Sequence, residues 1–201
     1  MRQIKKRYNI FGMGVYKRSL ILLVLFQMIL WIIFGLSYFL HQEAWINNVQ
    51  VPPETAAVGN WFSTFFYILF MNSIICLFIV IGNIFVRFNL ITPGLVVLLI
   101  QAISIGWLAG SNGFEVPFIS VREANLQFFK IGFWETTAYV LACSITLPKS
   151  LYIANTFPAK QWDTVRKFRE LKLSKKEQLL VIICAILLVS AAVIETVFIY
   201  I

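Results

Sequence analysis

Two glutamates stand in stretches otherwise suited to lipid. Glu135 follows Gly132-Phe133-Trp134, and Glu195 follows Ala192-Val193-Ile194, each inside a run of small and apolar residues. A carboxylate at the bilayer centre costs about 2.5–3.5 kcal/mol on insertion scales, so such a group faces a protein interior or a cavity. Two chemistries fit, and the residues alone leave both open. The acids either pair structurally between helices or form a site for a substrate or proton. Lys130, five residues before Glu135, and Arg122 in the preceding polar segment are the bases within reach. Asn72 and Gln101 place amides in two further apolar runs. Interhelical hydrogen bonding is the ordinary role of such amides, worth about 0.6 kcal/mol on average.

Other chemistries lack their residues. There is no G-x-x-x-x-G-K-[ST] for nucleotide hydrolysis, no H-E-x-x-H and no G-x-S-x-G. His41 is the single histidine, so a Ser-His or Cys-His nucleophile cannot be assembled within the apolar runs. Asp163 is the single aspartate, which excludes an intramembrane aspartate pair. Cys76, Cys143 and Cys184 each lie in apolar surroundings and form no C-x-x-C pair, so they read as small buried hydrophobes rather than metal ligands. The expectation is a non-enzyme without metal or cofactor.

The elements that must position the polar groups follow from composition. Of 201 residues, 60% are hydrophobic and 13% charged, against about 25% charged in soluble proteins; mean hydropathy is +0.82. This excludes a soluble enzyme, a disordered chain and a secreted disulfide scaffold. A span needs about 20 apolar residues. Five such stretches occur, at 19–40, 61–86, 91–110, 126–147 and 178–201. The expected fold is all-α: a polytopic membrane helix bundle with a basic segment at 1–18 and one transmembrane domain over 19–201. The first stretch is too long for a signal peptide and ends in Tyr38-Phe39-Leu40 rather than small residues, so it reads as a retained span. Ala102, Gly106 and Gly110 repeat every fourth residue, as do Gly132 and Thr136, which suits close helix packing.

Orientation can be counted. With the N-terminus in the cytoplasm and five crossings, fifteen of the seventeen Lys and Arg fall inside, leaving Arg122 and Lys130 outside. The positive-inside rule selects that arrangement, with the C-terminus outside. It also accounts for the net charge of +8 without nucleic acid as a partner. By a rise of 1.5 Å per residue, Glu135 lies about 13 Å into a span running inward and Glu195 about 25 Å along one running outward. Both fall in the outer half, where they would share a polar site. Asn72 and Gln101 lie about 15 Å deep in their own spans.

The segment 158–177 has its own pattern. Trp162, Val165, Phe168 and Leu171 recur every three residues, with Arg166, Lys167, Arg169 and Lys172 between them. The spacing predicts a basic amphipathic helix on the inner leaflet, and a docking surface for a cytoplasmic partner would look the same.

Leu69-Phe70-Met71-Asn72-Ser73, Gly132-Phe133-Trp134-Glu135 and the terminal Ile194-Glu195 together resemble the stage II sporulation protein M family of integral membrane proteins, over about residues 60–201. Asn72-Ser73 stands where the family has Asn-Asn, Lys130-Ile131 where it has Pro-His, and Gln101 near its third-span Asn-Gly. The resemblance implies a multi-pass protein of the bacterial plasma membrane that works as a non-catalytic subunit. Its implied partners are the lipid bilayer and other membrane subunits, among them an ATP-binding-cassette ATPase or permease. A peptide cargo of circular-bacteriocin type and a further copy of the chain are also implied. Export of, or self-protection against, such a peptide is the first role it implies. The scaffold of a peptidoglycan-remodelling complex in engulfment is the second; the two glutamates themselves leave open a third, a component conducting peptide or protons past Glu135 and Glu195.

Overall fold

The computed structural model describes residues 10–46, 51–154 and 156–200; Arg2, Lys5, Lys6 and Arg7 of the basic segment lie outside them. Four described helices are long and apolar enough to cross a membrane: α1 (Val15–Leu40), α3 (Trp61–Phe85), α4 (Pro93–Gly110) and α7 (Lys175–Tyr200). A short α2 (Gln42–Ile46) follows α1, and α5 (Val121–Gln127) leads through a π-helical turn, Phe128–Gly132, into α6 (Phe133–Thr146).

Helix starts are fixed by local chemistry. The Asn60, Thr92 and Ser120 side chains accept from the backbone N–H of Ser63, Leu95 and Glu123, satisfying donors that a first turn leaves open. Pro93 occupies the first turn of α4, where no N–H is required. Helix packing follows the small residues. A Cβ on Gly106 would lie 2.5 Å from the Leu30 carbonyl, and one on Gly110 would meet the backbone of Phe34, so α1 and α4 touch along this stripe. Gly82 and Gly94 do the same for α3 and α4.

Two expectations are corrected. The stretch at 126–147 is not one long α-helix. It is three consecutive helical pieces, and α6 has only 14 residues, about 21 Å long. Ten residues of α6 are buried, because it packs against α1, α3, α4 and α7 at the centre of the bundle. Second, 158–177 forms no amphipathic helix. Asp163–Thr164 (β3) pairs antiparallel with Tyr152–Ala154 (β2), which pairs parallel with Val86–Phe88 (β1), and a 3₁₀ turn covers Phe168–Glu170. The exposed edge of β2 supplies backbone partners, and β-branched Thr164 and Val165 suit extended chain better than helix. Helix limits also shift: α1 begins at Val15, placing Lys17 and Arg18 within it, α4 begins at Pro93, and α7 begins at Lys175.

The bundle therefore has two unlike ends. The sheet end carries the start of α1, the end of α3 and β1–β3. The other carries the connections around 51–60 and 111–120. There Trp45 Nε1 donates to the Gly110 carbonyl at 2.8 Å and ties the α1–α3 connection to α4.

Candidate functional site

The π turn and the short α6 set Glu135 and Tyr139 one helical turn apart on one face. Both meet Asn72 of α3. Asn72 Nδ2 donates to Glu135 Oε1 at 2.5 Å, and Tyr139 Oη donates to Asn72 Oδ1 at 2.6 Å. Glu195 of α7 stands beside the Glu135 carboxyl, and both border one cavity. Beside this chain, Gln27 of α1 reaches the buried Thr136 hydroxyl at 3.5 Å.

Glu135 and Glu195 line a cavity of about 510 Å³ at the end remote from the sheet. Leu30, Trp31, Phe34, Ile105, Phe128 and Phe198 form much of its wall, and Glu115 stands in the loop portion of the lining. Among the described residues no three His, Cys, Asp or Glu side chains gather as a metal-binding group. An apolar chamber with acidic groups set into it suits an organic cation with an apolar body better than a bare metal ion.

Among the described residues, packed side chains lie beneath the cavity. Tyr139, Cys76, Ile79, Val140, Cys143 and Leu147 form a buried core beyond the carboxyls. Past that core lies a second polar cluster. Asn83 Nδ2 donates to Thr146 Oγ1 at 2.9 Å and to the Cys143 carbonyl at 3.3 Å, while Asn83 Oδ1 accepts from Thr92 Oγ1. Asn83 is fully buried.

The structure thus brings together Glu135, Glu195 and Asn72. Lys130 is exposed on the π turn and lines no part of the cavity; Gln101 lies one turn before Ile105, the first cavity residue of α4. Five residues apart, Lys130 and Glu135 do not share a helix face, and Lys130 stays on the exposed side. The sequence reading misses Tyr139, although its four-residue spacing from Glu135 is the available signal. Glu115 and Asn83 are missed because one lies in a loop and the other near a span boundary.

At the sheet end, Trp162 packs edge-on to Phe88 at 5.2 Å, while Phe168 is exposed. Arg166 is half-buried; Lys167, Arg169 and Lys172 are exposed. The Lys172 carbonyl accepts from Lys149 Nζ, which also pairs with Glu177 at 3.1 Å. Trp162, Arg166, Lys167, Phe168, Arg169 and Lys172 stand on loop and 3₁₀ turn rather than on one helix face. No family model, curated protein or solved structure matches the chain.

Proposed function

We propose that the chain is a non-catalytic subunit of a bacterial membrane complex that holds an apolar, positively charged peptide segment in the Glu135–Glu195 cavity. One observation carries this: two neighbouring carboxyls line a mostly apolar chamber with packed core beneath it. Neutralising a cation there offsets the cost of holding carboxylates in low dielectric. The packed core supports holding a ligand over conducting one, which ranks peptide self-protection or export above the conduction reading. The stage II sporulation protein M resemblance adds the expectation of partner subunits, an ATP-binding-cassette protein for the peptide role or a cell-wall hydrolase for the scaffold role.

In this reading the chain crosses the membrane five times, with the 121–149 path as fourth crossing. The sheet end is cytoplasmic and the cavity opens outside, as the basic asymmetry requires. A Leu/Lys peptide should bind the purified protein at least about tenfold more tightly than its Leu/Glu twin. Equal binding of the two removes the proposal. Membrane-impermeant thiol labelling of whole cells should reach E54C and spare K172C; the opposite pattern inverts the orientation. Co-purification with identification of bound subunits separates the export and cell-wall roles.

A further inference from the structure

Two arginines at the sheet end close on a single residue. Arg18, 3% exposed, approaches the Phe11 carbonyl through Nη1 at 3.4 Å. The Arg87 guanidinium lies over the Phe11 ring, 4.4 Å from its centroid. Among the described residues, Arg18 Nε and Arg87 Nε are buried without a hydrogen-bond partner. Buried donors are ordinarily paired, and each exception needs an explanation.

Protein charges do not supply it. The carboxylate whose field reaches Arg18 is Glu177. That carboxylate already accepts from Lys149, from the Ser174 hydroxyl and from the Ser174 N–H. Burial, and after it the like charge of Arg166, holds Arg87 below its ordinary range. Arg18 of α1 and Arg87 of β1 therefore share Phe11 as neighbour, and Arg166 of the 158–177 segment adds its charge beside Arg87. Positive charge so placed, with Nε donors unspent, calls for an oxyanion, and guanidinium matches the geometry of phosphate.

We propose that Arg18, Arg87 and Arg166 form an anion site that takes a phosphate group at the membrane surface of the sheet end. It lies at the opposite end of the bundle from the carboxyl cavity and does not depend on that cavity's function. A phosphate group at this position has two sources, the headgroup of an anionic lipid and a soluble phosphate. Their shared chemistry is what the site reads.

The test uses the full chain in detergent micelles doped with dioleoylphosphatidylglycerol, or with dioleoylphosphatidylcholine for comparison. The concentration dependence of the thermal midpoint gives an apparent affinity. Millimolar inorganic phosphate is titrated separately and as a competitor. The wild type should bind phosphatidylglycerol, inorganic phosphate, or both. R87Q/R166Q should weaken that binding about tenfold or more, since hydrogen bonds to charged groups are lost. R18M should do the same if it folds; the double variant decides if it does not. The control K160Q/K167Q/K172Q removes more positive charge from the same end, and the site predicts that it binds within about twofold of wild type. Competition by inorganic phosphate assigns the site to soluble phosphates, and its absence assigns it to the lipid headgroup. Wild-type affinity in R87Q/R166Q, an equal loss in the lysine control, or no response to either probe overturns the proposal.

Discussion

Asn72 and Asn83 lie on the same helix, eleven residues apart and therefore on nearly the same face of α3, and both reach α6. Asn83 is fully enclosed, and its amide is spent on Thr92, Thr146 and the Cys143 carbonyl. Asn72 is half-buried, and one of its two partners is a carboxyl that borders the cavity. The same residue type thus closes the bundle at one end and sets a carboxyl at an opening at the other. Satisfied buried polar groups fix a unique packing, whereas groups that keep capacity toward a cavity can serve a ligand.

The largest expected effect tests the closed end. N83L strands the Thr92 hydroxyl proton, takes the amide donor from the Thr146 hydroxyl and the Cys143 carbonyl, and disturbs the α3–α4 approach at Gly94, whose added Cβ would overlap Ile79 and Asn83. Stranded buried groups cost about 1–3 kcal/mol each. N83L should therefore lose most of its folded yield in detergent, while N72L should keep a folded protein with a lower thermal midpoint. If N72L is the more damaging of the two, the assignment of structure to one end and function to the other is reversed.

Next in size is the carboxyl pair. E135Q preserves an acceptor for Asn72 Nδ2 and adds a donor toward Glu195, so packing is retained. E135Q/E195Q should unfold within a few degrees of wild type, yet bind the Leu/Lys peptide at least about tenfold more weakly. A double variant that fails to fold would make the pair a structural clamp. E135A, which removes the acceptor altogether, should cost about 1–3 kcal/mol of stability.

These contrasts show where sequence is informative. The helices α1, α3, α4 and α7 are legible because 18 or more apolar residues in succession admit few other structures. Glu135, Glu195 and Asn72 are legible because a polar side chain in such a run needs a partner. Lys130 is harder to place, since it sits on a π turn that interrupts the regular helical period before Glu135, whereas Tyr139 is legible from its four-residue spacing within α6. Asn83 and Arg18 lie near span ends, where a polar residue raises no question until burial is known. In the 158–177 segment the apolar spacing is real, but the edge of β2 competes for the backbone. Val165 N–H donates to the Leu151 carbonyl in place of a helical acceptor, and tertiary pairing overrides the local period.

That last competition sets the smallest expected effect. On an amphipathic helix, Trp162 and Phe168 would share one apolar face, and polar replacement of either would weigh about equally. In the sheet arrangement they differ. Trp162 contacts the Phe88 ring of β1, whereas Phe168 is 68% exposed on a 3₁₀ turn. An aromatic pair contributes about 0.5–1.5 kcal/mol beyond its area, and an exposed substitution stays within about 0.5 kcal/mol. W162S should therefore lower the thermal midpoint measurably, F168S should leave it nearly unchanged, and F88S, which also loses the Phe157 ring at 5.3 Å, should cost more than W162S. The W162S/F88S double variant should then cost less than the two single effects added, because both remove the same contact. Equal and additive losses for W162S and F168S would restore the helix and dissolve the sheet that joins this segment to α3.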